Sequence, residues 1–151
     1  MLFQAGDDYL ELTPIEQTPE GVPGFGDTCF SVRVRCNSFS GETTAYIEAG
    51  KLRAFAENLH RVEEARQGAA VVESMSPGEL LLEVRITGRA GHAAVIGQVG
   101  RWSFLGLESA HWNVIGYSIP FCPTLLPQIT REFRALVKAA HASTTGTERK
   151  L

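Results

Sequence analysis

Three observations predict an α+β fold: a curved, mainly antiparallel sheet of about seven strands (β-β-β-α-β-β-β-β-α) packed by two helices. Residues 28–37, 43–48 and 80–87 alternate apolar and polar side chains, the period of a half-buried strand. Residues 52–62 and 125–140 carry apolar residues every three or four positions, the period of an amphipathic helix. The connections between these runs are short and rich in Gly, Pro, Asp and Ser, which favours antiparallel neighbours.

Taken in order, Leu10 and Leu12 put one side of a first short strand on the core, and TPIEQTPEGVPGFGD then reads as a long loop. In the second strand Phe30, Val32, Val34 and Cys36 face inward while Ser31, Arg33, Arg35 and Asn37 face water. SFSG turns the chain into a third strand, with Thr43, Ala45 and Ile47 inside and Glu42, Thr44, Tyr46 and Glu48 outside. Paired antiparallel, these two strands set Arg33 and Arg35 across from the glutamates.

Leu52, Phe55, Leu59 and Val62 form the stripe of the first helix, and Gly68 is placed to end it in the left-handed conformation. Residues 69–75 read as a strand, and Ser76-Pro77-Gly78 turns into a central hairpin across 78–101. There Leu80, Leu82, Val84 and Ile86 oppose Glu83, Arg85 and Thr87. RWSFLGLES reads as an aromatic connector, followed by a strand in which Trp112 and Val114 oppose His111, Asn113, Ile115 and Tyr117. Pro120 and Pro123 end that strand, Thr124 is the expected N-cap, Pro127 sits in the first turn, and Leu125, Ile129, Phe133, Leu136 and Ala140 trace the last helix. Residues 1–141 therefore form one domain and 142–151 a frayed tail without apolar anchors. No repeat of 20–50 residues is visible.

Composition narrows the function classes. With 44% hydrophobic and 21% charged residues the chain is an ordinary globular sequence, and its net charge of −3 argues against a nucleic-acid partner. Three cysteines are an odd number in a chain with enough core to fold unaided, which fits a reducing cytoplasm and buried thiols. The opening residues lack a basic stretch followed by an apolar run, and no segment approaches the roughly 20 apolar residues of a membrane span. The expected location is the cytoplasm, with no membrane contact.

Chemistry leaves few marks. There is no nucleophile elbow, the aspartates Asp7, Asp8 and Asp27 fall in loops, and neither GVPGFGD nor GQVGRWS has the context of a phosphate loop. His60, His92, His111 and His141 are scattered; His92 and His111 approach each other only if their strands pair suitably. No catalytic, cofactor-binding or metal-binding residue is assigned, and no cofactor is expected. The aromatics Phe25, Trp102 and Phe104 are candidate anchors for a protein partner, the competing reading being that they close the end of the core, as Trp112 does. Arg33, Arg35 and Tyr46, with Glu42, Glu48, Glu83 and Arg85, offer a polar rim.

Three segments together carry a family likeness: LRAFAENLHRV after a hairpin, ESMSPGELLLEVRITGRAGHAAVIGQVG with its internal Gly-His, and the late strand leading through IPFCPTLLPQITREFRAL into a helix. Over about residues 9–140 the chain resembles the WapI-type bacterial immunity proteins and allied small uncharacterised bacterial domains. The resemblance implies a cytoplasmic, non-enzymatic antidote that binds and neutralises a cognate toxin domain by occlusion. It supplies no residue roles. The alternative is a small-molecule binder or small enzyme with a cavity between sheet and helices; a homodimer formed through an exposed strand edge is also compatible with the sequence.

Overall fold

The computed structural model describes residues 1–106 and 109–142. The same succession, four strands and a helix, occurs twice. Strands β1 (Leu2–Ala5), β2 (Asp8–Gln17), β3 (Thr28–Cys36) and β4 (Phe39–Ile47) precede helix α1 (Ala49–Ala65). Strands β5 (Gly68–Glu73), β6 (Leu80–Thr87), β7 (His92–Phe104) and β8 (Ala110–Phe121) precede a 3-10 turn (Pro123–Leu125) and helix α2 (Leu126–Ala142). Each half forms its own antiparallel sheet, β1-β2-β3-β4 and β5-β6-β7-β8. The α+β class stands, but the expected single curved sheet of seven strands is replaced by two sheets of four. The doubling lies in the order of elements at a spacing longer than 20–50 residues, where a search for short repeats does not look.

One core joins both halves. The inner rows of the first sheet (Phe3, Leu10, Leu12, Phe30, Val32, Val34) and of the second (Leu80, Leu82, Val84, Val95, Ile119, Phe121) are buried together with Phe55 and Leu59 of α1 and Phe133 of α2. Each such side chain contributes about 1.5–3 kcal/mol by leaving water. Edge strands β1 and β8 are joined by Phe3 against Phe121, ring centroids 5.3 Å apart, and the helices by Phe55 against Phe133 at 5.0 Å. These are edge-on contacts, the favoured aromatic geometry.

Several local expectations are corrected by the structure. Strand β1 is an addition to the expected order, since four residues are too few to show a period; Gly6, in the left-handed region at φ 62°, turns it into β2. Strand β2 runs on to Gln17 through Pro14, with a bulge between Pro14 and Glu16, because β1 ends its pairing at Glu11 and leaves Pro14 on an edge. Pro120 likewise lies inside β8, the outer strand of its sheet, where a missing N–H costs no ladder bond. Arg66, not Gly68, takes the left-handed position after α1, and Gly68 opens β5.

Thr124 falls inside the 3-10 turn, and Cys122 precedes that turn. At the other helix the loop before β3 supplies the cap: the Asp27 carboxylate accepts a hydrogen bond from the Ala49 N–H at 2.8 Å. That interaction meets one of the open donors of α1. The connector expected at 101–109 is in its first four residues strand, part of β7. The expected tail begins inside α2 at Ala142, and its remainder lies outside the described residues.

Candidate protein interface

Strand β7 is longer than its neighbour β6. The β6–β7 ladder ends at Leu80 opposite Val99, whereas β7 and β8 continue as a pair from Gly100 opposite Val114 to Phe104 opposite Ala110. A two-stranded arm therefore runs past the rest of the sheet. Even-numbered side chains of β7 and β8 point away from the core, since Ala93, Val95, Val99, Ile119 and Phe121 on the odd positions are buried. Trp102, Phe104, Trp112 and Val114 thus share the outer face of the arm.

Trp102 and Trp112 are direct cross-strand partners with ring centroids 5.0 Å apart at 56°. The Trp112 indole lies over Gly78 and Gly100, where a side chain at either glycine would collide with it. Trp102 remains 52% exposed, Phe104 74% and Leu105 69%. The glycine floor seats the Trp112 indole, and Trp102 lies against that indole while staying about half exposed. Such preorganised, half-wet aromatic groups are the usual energetic centres of protein interfaces.

The underside of the arm faces a different wall. Arg101, Ser103, Asn113 and Ile115 look across an open cleft of about 540 Å³ toward Ser40, Gly41 and Glu42 at the start of β4. Asn113 Nδ2 donates to Ser103 Oγ at 2.6 Å, and Ile115 reaches so close to Gly41 that a Cβ there would lie 2.8 Å from its Cδ1.

The anticipated site residues divide among three places. Trp102 and Phe104 are together on the arm, and Trp112, expected to close the core, belongs with them. Phe25 is half-buried in a small depression with Leu52, Arg53, Val137 and Ala140, among the helices. Arg33, Arg35 and Tyr46 lie on the outer face of the first sheet, so they form no rim around the tryptophans. Arg33 stands opposite Glu42 as expected but its ion pair is with Glu11, at 3.7 Å, and Arg35 faces Ser40 instead of a glutamate. Exposed pairs of this kind add little stability. Glu83 and Arg85 do share the arm's face of the second sheet, paired to each other.

The Tyr46 hydroxyl donates to the Glu16 carboxylate at 3.0 Å, and this bond, helped by the charges of Cys29 and Glu16, pushes its pKa up to about 12. Burial raises the Cys29 thiol against a hydrogen bond from Tyr46 that lowers it. Cys29 and Cys36 are buried as expected, and Cys122 is exposed, with Thr124 Oγ1 3.0 Å away holding its thiol below the ordinary range. His92 sits at the β6–β7 turn and His111 beside Ser103 near the tip of the arm. Their strands do pair, but roughly 35 Å of strand separates the two histidines, so they do not approach each other. Among the described residues no group of three His, Cys, Asp or Glu side chains is placed to hold a metal ion, and no helix is long and apolar enough to cross a membrane.

The space between sheets and helices, where a ligand cavity was the alternative, is occupied by the fully buried Phe3, Phe30, Phe55 and Phe133. Compared with known proteins, the chain matches no family model, no curated protein and no solved structure.

Proposed function

We propose that this chain is a protein-binding module that acts by contact, with the outer face of the β7–β8 arm as its docking face. In its specific form it is an antidote that occludes a bacterial toxin domain. The observation that carries the reading is the Trp102–Trp112 pair with Phe104, set on a ribbon past the end of β6, where among the described residues Trp102 and Phe104 stay largely exposed. The likeness of the sequence to WapI-type immunity proteins supports the choice of a toxin as partner. It also implies a cytoplasmic site of action.

Such a face gains nothing by catalysis and much by shape: a few aromatic anchors commonly dominate an interface of about 800 Å² per partner. Co-expression with the product of the adjacent upstream gene tests the reading. Growth should be restored by the intact chain and the two products should co-purify. Toxicity that persists, with no complex recovered, would remove the toxin reading.

A further inference from the structure

The two helices enclose a groove away from the arm. They lie antiparallel: Ala49 of α1 shares a depression with Ala140 of α2, and further along Ala56 and Glu57 share one with Arg134. Arg53 and Val137 line both depressions, so a single open groove runs from Phe25 at one end to Arg134 at the other. From Ala49 to Glu57 it spans about 12 Å, at 1.5 Å per helical residue. The part beyond Arg53 has a volume of about 220 Å³, with Ala56 and Val137 as an apolar floor and Arg53, Glu57, Arg134 and Lys138 as its rim.

Three cations and one carboxylate make this rim basic, in a chain whose net charge is −3. Among the described residues Arg134, Lys138 and Glu57 take part in no ion pair. Arg134 and Lys138 are exposed and stand one turn apart on α2, about 6 Å along its axis. Like charges at that spacing destabilise a helix, a small standing cost that a ligand of opposite sign spanning both would recover. Their apolar stems wall the groove while the charged tips remain in water.

We infer that this groove takes an acidic segment of a protein partner, its apolar side chains on Ala56 and Val137 and its carboxylates on Arg134, Lys138 and Arg53. Charge and floor together select the occupant. Carboxylates one turn apart on a helix, or two residues apart in an extended chain at about 3.3 Å per residue, match the step of about 6 Å between Arg134 and Lys138. A nucleic acid fits less well, because its phosphates have no use for the apolar floor and it needs a broader basic surface than one groove. The remaining stretch of the chain does not complement the rim, since residues 143–151 carry Arg149 and Lys150 against Glu148 alone. The inference keeps the protein-binding reading but not the arm, so either face can fail its test while the other stands.

The test uses the full chain and a fluorescein-labelled amphipathic peptide, EELLEELLEE, followed by fluorescence anisotropy. The peptide should bind with a Kd of about 100 μM or tighter at low salt, and more weakly as salt rises. Arg134→Glu/Lys138→Glu should lose at least about tenfold in affinity with an unchanged thermal midpoint. Glu57→Gln should gain about threefold, a change that no folding defect imitates. Arg35→Glu/Arg89→Glu, which alters the net charge equally but away from the groove, and Trp102→Ala/Phe104→Ala should both bind as the unaltered chain does.

No binding at about 1 mM, an affinity indifferent to the groove's charges, or an equal loss in Arg35→Glu/Arg89→Glu would each overturn the inference. So would equal binding of the same peptide with lysine for every glutamate, dependence on Trp102 and Phe104, or tighter binding of a single-stranded oligonucleotide of equal charge.

Discussion

At Tyr46 a single hydrogen bond shows how this surface is organised. The phenol bridges β4 to Glu16 beyond the bulge in β2 and covers Cys29 from outside. A raised pKa means the bond favours the protonated phenol, so its contribution to folding is complete below pH 10, the value of an unperturbed tyrosine, and is lost as pH rises through about 12. Glu16→Gln should shift one phenolate transition, followed by ultraviolet absorbance, down toward 10; an unmoved titration would show that the carboxylate is not the cause. Tyr46 also marks what the residue pattern conceals. Its exposure was legible from alternation along β4, but its partner was not, because Glu16 stood in a segment rich in Pro and Gly that reads as loop.

Elements are legible where a period runs for several residues and are not where a local exception decides the outcome. The rows Phe30, Val32, Val34, Cys36 and Leu80, Leu82, Val84, Ile86 are buried as their alternation demands, and the α1 stripe Leu52, Phe55, Leu59, Val62 likewise. The end of α1 is such an exception: Arg66 stands at φ 54°, a conformation that costs a residue with a Cβ roughly 1–2 kcal/mol, with Gly available two positions later. Arg66→Gly should relieve that strain and, after the entropy of glycine in the unfolded chain, raise stability by up to about 1 kcal/mol, or a few degrees in Tm. Chemical denaturation measures it, and a loss of stability would mean that Arg66 makes contacts that outweigh its backbone cost. The extension of β7 past β6 is another exception. Proline and glycine mark where a strand can stop; they do not say that one partner strand stops while the other goes on. The aromatic segment Arg101–Phe104 therefore reads as connector until its pairing with β8 is seen.

At the scale of the molecule, the alternating and helical rows make an antiparallel α+β class legible, but the division into two four-stranded sheets depends on which strands pair, which no local pattern encodes. The shared core predicts how the thiols behave: a thiol reagent should modify Cys122 rapidly and Cys29 and Cys36 only on unfolding. Fast modification of all three in the native protein, counted by mass spectrometry, would contradict a common core that closes over both sheets. The candidate site was half legible for the same reason as the fold. Trp102 and Phe104 were recognisable as aromatics without an inward row, whereas Trp112 joined them only through cross-strand register and the bare floor of Gly78 and Gly100. The account turns on these rings being on the arm for a partner and not for the core. Calorimetric titration of the proposed partner, the toxin domain recovered by co-expression, into the Trp102→Ala/Phe104→Ala variant decides this directly. Affinity should fall at least tenfold, about 1.4 kcal/mol, while thermal stability changes by less than about 1 kcal/mol per residue. Undiminished affinity, or a loss of stability near the 3 kcal/mol per ring of a true core aromatic, would contradict it.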